Sequence, residues 1–84
     1  MIVKIFWQEN CSHCPSAKKL GEKLETEGIK VEYYDVNAPD GLAEAMFHDV
    51  LSTPSLIIID DKKKELAAWR GETPTVENIK KFLS

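Results

Sequence analysis

Apolar and polar positions follow two rhythms along this chain of 84 residues. Residues 2–7 are an almost unbroken apolar run with Lys4 as the one charge, the pattern of a strand buried on both faces. After the short loop Gln8-Glu9-Asn10, the rhythm becomes helical from Ser12 to about Glu27. Ala17, Leu20 and Leu24 fall on one stripe, and Gly28 supplies the stop. Ile29 to Val36 reads as a second strand, with Val31 and Tyr33 alternating against Lys30, Glu32 and Tyr34. A second helix is predicted over 40–51, with Leu42, Ala45, Met46 and Val50 as its apolar stripe and Ser52-Thr53-Pro54 ending it.

Leu56 to Ile59 is another buried strand, and the polar reversal at residues 60–63 leads into a fourth strand from Lys64 to Trp69. Past Arg70-Gly71-Glu72, Thr73 is the expected N-cap of a last helix, with Pro74 at its first position. That helix turns Val76, Ile79 and Leu83 inward, with Phe82 beside them. The order is β-α-β-α-β-β-α. Its first β-α-β unit requires two parallel strands joined by a right-handed crossover. A four-stranded mixed sheet flanked by three helices follows, as one domain over residues 1–84.

Composition narrows the function. A net charge of -3, spread over both signs, leaves no basic footprint for nucleic acid. No apolar run reaches the roughly 18–20 residues of a membrane span. The first residues lack a basic leader and a small-residue cleavage site, so the expected location is cytoplasmic. The two cysteines stand three positions apart. A structural disulfide there would close too short a loop to restrain the unfolded chain much. Close cysteines without an export signal point to redox chemistry or a metal.

The motif is Cys11-Ser12-His13-Cys14 followed by Pro15, where the first strand gives way to the first helix. Positions i and i+3 of a first helical turn share a face, so two sulfurs there can meet. Unpaired backbone N–H groups and the positive end of the helix dipole favour an anion at the first cysteine. Pro15 fits because first-turn N–H groups have no helical partner. A thiol with pKa near 8.5 is only about 3% ionised at neutral pH, whereas one near 7 is about half ionised. Cys11 is therefore read as the nucleophile and Cys14, deeper in the helix, as the resolving thiol of a mixed disulfide. A protonated His13 between them would favour the thiolate.

Thr53-Pro54 lies between the second helix and a buried strand, in a chain already carrying the redox motif. That context predicts a cis peptide, which would turn the Thr53 backbone toward the sulfurs for β-type pairing with a substrate strand. Trp7, just before the motif, and Trp69, at the end of the fourth strand, are candidate substrate contacts that sheet packing would equally explain. His48 reads as a surface or half-buried residue, and Lys62-Lys63-Lys64 as a solvated hairpin tip.

Strand, CxxC, helix, Thr-Pro before the third strand, hairpin and last helix together resemble glutaredoxins and small thioredoxins over essentially the whole chain. The resemblance implies a thioredoxin fold and the reduction of disulfides in proteins without a bound cofactor; a monomer is the default expectation. It makes Cys11 and Cys14 the redox disulfide and Pro54 the cis-proline of the substrate groove. Glutaredoxins usually carry a basic residue where Gln8 stands, and an acidic pair where this chain reads Gly71-Glu72-Thr73-Pro74-Thr75. The segment from Trp69 to Pro74 looks more like NrdH-type redoxins, which implies a thioredoxin reductase-like electron donor and suggests ribonucleotide reductase among the substrates. Thioredoxins proper carry a buried acid where Ile5 stands, so the proton acceptor for Cys14 is open; Glu9 is near but reads as a solvated loop residue.

The rival reading is a metal or iron-sulfur module. Four ligands are normally needed, and one chain offers only Cys11, Cys14, His13 and distant His48. Such a site would have to be shared across a dimer.

Overall fold

The computed structural model describes residues 1–82. The elements are β1 (Ile2–Trp7), α1 (Cys14–Thr26), β2 (Lys30–Asp35), α2 (Pro39–Phe47), β3 (Ser55–Ile59), β4 (Glu65–Arg70) and α3 (Val76–Lys80). The strands form one sheet in the order β2-β1-β3-β4. β1 pairs parallel with β2, with Ile2 opposite Lys30 and Trp7 opposite Asp35. It pairs antiparallel with β3, with Ile2 opposite Ile59. The hairpin β3–β4 is antiparallel, with a register irregularity at Ile58/Ile59.

The central strands explain the apolar runs. Every residue of β3 is buried, as are Val3 to Phe6 of β1. Alternation sends Val3, Ile5, Leu56 and Ile58 to one face, where Ala17, Leu20 and Leu24 of α1 and Ile79 of α3 cover them. Phe6, Ile57 and Ile59 face the other way, toward Ala45 and Val50. Edge strand β2 splits its tyrosines between the faces. Tyr34 stacks on Phe6 with ring centroids 5.3 Å apart, while the Tyr33 hydroxyl donates to Glu25 of α1 at 2.9 Å. The polar side of the expected alternation thus carries packing too.

Helix ends depart from the sequence reading in three places. α1 begins at Cys14, not Ser12, with His13 as N-cap. Its other end is the expected one: Gly28 takes φ +83°, and the N–H groups of Gly28 and Ile29 bond back to Glu25 and Leu24. α2 stops at Phe47 rather than 51. Asp49 adopts φ +56°, and the Val50 N–H bonds back to the Ala45 carbonyl at 2.7 Å, so an aspartate serves where glycine usually does. Of the expected stripe only Ala45 and Val50 are buried; Leu42 and Met46, both within α2, are 50% and 70% exposed.

The N-cap of α3 is Thr75, not Thr73. Thr75 Oγ1 accepts from the Asn78 N–H at 3.1 Å, and the Asn78 side chain accepts from the Thr75 N–H. Pro74 accordingly precedes the cap, and the Thr73 hydroxyl is buried with no partner among the described residues. Ile79 is fully buried and Val76 packs on the same core. Phe82 meets Trp69 edge-on at 5.9 Å, and Leu83 lies outside the described residues.

Candidate active site

β1 ends on a chain reversal that carries the motif. Asn10 takes φ +61°, a conformation asparagine tolerates better than most residues, and the next four positions turn back into α1. The turn is closed by the Cys14 N–H, which donates to the Cys11 carbonyl at 3.3 Å. Cys11 and Cys14 are joined by a disulfide with Cα atoms 5.4 Å apart, inside the usual range for a bridge. The later helix start places Cys11 in the turn before the helix and Cys14 on its first residue. The sulfurs meet through that turn rather than through a shared helical face.

The two cysteines differ in exposure. Cys14 is 2% exposed, while Cys11 is half-buried at the lip of the turn. Among the described residues no side chain caps α1, and its first turn holds no acidic residue. The partial positive charge of that helix end is left unopposed, which favours a thiolate at Cys11 once the bridge is open.

Two clefts flank the motif. One, of about 490 Å³, is lined by Cys11, Cys14, Trp7, Gln8, Glu9 and Lys18, among others. The Lys18 ammonium lies 3.4 Å from the centre of the Trp7 ring. Ile5, at the position of the buried acid of thioredoxins proper, is fully buried, and Glu9 is exposed on this cleft's rim. The other cleft, of about 400 Å³, brings together His13, Ser16, Pro54, Gly71, Glu72 and Thr73. His13 is exposed and Pro54 is buried behind a cis Thr53–Pro54 peptide.

Trp69 lines neither cleft. It packs against the core of Leu56, Ile58 and Ile79 and against Phe82. His48 is buried (7% exposed), not on the surface, and is reached by Lys4 and Glu44. The Lys62–Lys64 tip is exposed as expected, its turn held by Asp60 Oδ1 accepting from the Lys62 and Lys64 N–H groups. Gln8 and Lys18 were not singled out as site residues from sequence. Lys18 had a readable signal, being four residues past Cys14 on one helix. The contact of Gln8 with Thr53 had none, because Thr53 is 45 positions away along the chain.

Among the described residues, no three His, Cys, Asp or Glu side chains gather as a metal-ligand set. No described helix is long and apolar enough to cross a membrane.

A bonded cysteine pair where β1 leads into α1 and a buried cis-proline just before β3, on a β2-β1-β3-β4 sheet, define the thioredoxin-like class of redox proteins. The chain belongs to the thioredoxin domain family, whose model matches residues 1–84. It is 30% identical to a thioredoxin of Methanocaldococcus jannaschii, over 96% of this chain and 94% of that one. It is 33% identical to a probable thioredoxin of Archaeoglobus fulgidus, over 71% of this chain and 67% of the relative. Among solved structures, malaria parasite thioredoxin-2 superposes with a TM-score of 0.79 at 26% identity, covering 95% of this chain and 81% of that one. The expected fold and redox class are therefore those of the protein, and its relatives carry the thioredoxin name.

Proposed function

We propose that this chain is a cytoplasmic dithiol oxidoreductase that reduces disulfides in protein substrates, with Cys11 attacking and Cys14 resolving. The observation that carries the reading is the asymmetry of the bonded pair: Cys11 at the lip, Cys14 2% exposed behind it. In the reduced protein, the Cys11 thiolate forms a bond to one substrate sulfur, and the second substrate sulfur leaves as a thiolate. Cys14 then loses its proton and attacks the Cys11 sulfur. The mixed disulfide breaks, the substrate departs as a dithiol once its two thiolates take up the proton Cys14 released and one from solvent, and Cys11–Cys14 is oxidised by two electrons. His13 favours the thiolate form, and Thr53, Pro54 and Trp7 receive the substrate. Trp69 supports the groove by packing rather than by contact.

The electron donor in this reading is a thioredoxin reductase-like enzyme, as for NrdH-type redoxins, and ribonucleotide reductase is one candidate substrate. Gln8 in place of a basic residue, and Gly71-Glu72-Thr73 in place of an acidic pair, support that choice over glutathione. A Cys14→Ser variant tests the core of the reading. It should accumulate a mixed disulfide through Cys11, and no adduct at any workable pH would refute it. Oxidised protein offered reduced glutathione, or thioredoxin reductase with NADPH, tests the donor; fast turnover with glutathione alone would reverse the assignment.

A further inference from the structure

The last side chain before the motif reaches across to the cis-proline loop. Gln8 Nε2 donates to Thr53 Oγ1 at 2.9 Å, across 45 positions of sequence. Gln8 also stands between two clefts. It lines the one that holds both cysteines, and it lines a neighbouring one of about 360 Å³ together with Thr53, Val36, Leu42, Met46 and Leu51. A substrate segment leaving the cysteines toward that second cleft passes Gln8 and Thr53.

Thr53 has main-chain capacity to spare. Among the described residues its N–H and C=O enter no hydrogen bond, although the residue is half-buried and β3 begins two positions later. A half-buried, unpaired peptide edge beside a sheet strand is the arrangement that an extended segment completes by β-pairing. For such pairing to be productive, the edge must be held in one orientation while the substrate sulfur reaches Cys11. Pro54 has no N–H with which to anchor the loop from its own side. The Gln8 amide supplies an anchor from β1's end, next to the cysteines themselves.

We infer that Gln8 is a positioning residue: its amide holds Thr53 so that the free Thr53 main-chain groups capture an extended peptide next to the substrate disulfide. This rests on the proposed disulfide-reductase reading.

The test compares a disulfide-linked peptide with dithiobis(nitrobenzoate), which has no peptide groups to pair. Gln8→Ala should raise KM for the peptide by roughly three- to tenfold, the worth of one net hydrogen bond, with kcat within twofold. Its rate with dithiobis(nitrobenzoate) should match that of the unaltered protein. Thr53→Val, which removes the same contact, should raise the peptide KM by a similar factor, and Gln8→Ala/Thr53→Val should cost no more than either change alone. Gln8→Glu should restore most of the loss, since its carboxylate can accept from the Thr53 hydroxyl. An unchanged peptide KM, equal losses on both disulfides, additive single changes, or failure of Gln8→Glu to restore binding would overturn the positioning role while leaving the reductase reading intact. An unaltered protein that reduces neither disulfide would overturn the reductase reading itself.

Discussion

Lys4 Nζ stands 3.3 Å from His48 Nε2 and 2.8 Å from a Glu44 carboxylate oxygen, beneath α2 on the sheet face away from α1. Lys4 and His48 are only 9% and 7% exposed. An ammonium can only donate, so Nε2 accepts and the neutral imidazole carries its proton on Nδ1. Burial lowers the His48 pKa below its ordinary value, and the Lys4 charge lowers it further, against the opposing pull of Glu44. Arg70 crosses from β4 to close the arrangement, donating to the His48 carbonyl at 2.7 Å.

This pairing makes stability depend on pH. The folded protein keeps His48 neutral at pH values where the unfolded chain, with an ordinary value near 6.5, takes up a proton. The contribution is therefore fully present above about pH 6.5 and shrinks as pH falls from there through the lowered folded value, at about 1.4 kcal/mol per unit of separation. Thermal melts at pH 7.5 and pH 5 should show a larger fall for the natural sequence than for His48→Gln, which keeps an acceptor for Lys4 but does not titrate. Equal falls would remove His48 from the account.

Replacing His13 with Val should make the Cys11–Cys14 couple more reducing. A protonated imidazole at position 13 would stabilise the thiolate, and so the reduced form; its removal would then lower the potential by roughly 30 mV for each ~1.4 kcal/mol lost. Equilibration against a glutathione redox buffer measures this. An unchanged potential would reduce His13 to a solvated side chain.

Lys18 shares a cleft with both cysteines and is held over the Trp7 ring. A cation there lowers the cost of a nearby thiolate. Lys18→Met should therefore shift the pH profile of Cys11 alkylation upward by roughly half a unit, about 0.7 kcal/mol. Lys18→Arg, which keeps the charge and the stacking on indole, should not. Identical profiles for all three proteins would deny Lys18 an electrostatic role.

Gly41 pits two effects of opposite sign against each other. Alanine in a helix interior is favoured over glycine by about 1 kcal/mol. Yet a Cβ at Gly41 would run into the main-chain carbonyl of Asp35 at the end of β2, which has no flexible side chain to yield. Overpacking of that kind costs about 1–3 kcal/mol, and a collision with backbone belongs at the upper end. Gly41→Ala should lower the melting temperature by several degrees, on the scale of about 4–8 °C per kcal/mol for a domain of this size. A variant melting at or above the natural temperature would mean that α2 shifts freely on the sheet.

What could be read from the chain alone was whatever depends on neighbours a few positions away. Apolar runs in β1 and β3, the Ala17-Leu20-Leu24 stripe, the Gly28 stop and the placing of Cys11 and Cys14 at a strand–helix junction are all of this kind. Their causes are helical and strand periodicity, glycine's freedom at positive φ, and the unpaired N–H groups of a first turn. Local rules failed where two nearby residues offer the same chemistry. Thr73 and Thr75 are equal candidates for a cap, and only the reach of Asn78 selects Thr75. Asp49 ends α2 because its neighbour Val50 is drawn into the core, which no local pattern announces. The long-range polar contacts, Gln8 to Thr53 near the cysteines and Lys4 to Glu44 and His48 on the opposite face of the sheet, each join residues at least 40 positions apart. Such pairs have no period and no spacing; they exist because the packing of α2 on the sheet and the return of β3 beside β1 bring these segments to β1 and its end, so the tertiary structure alone decided them.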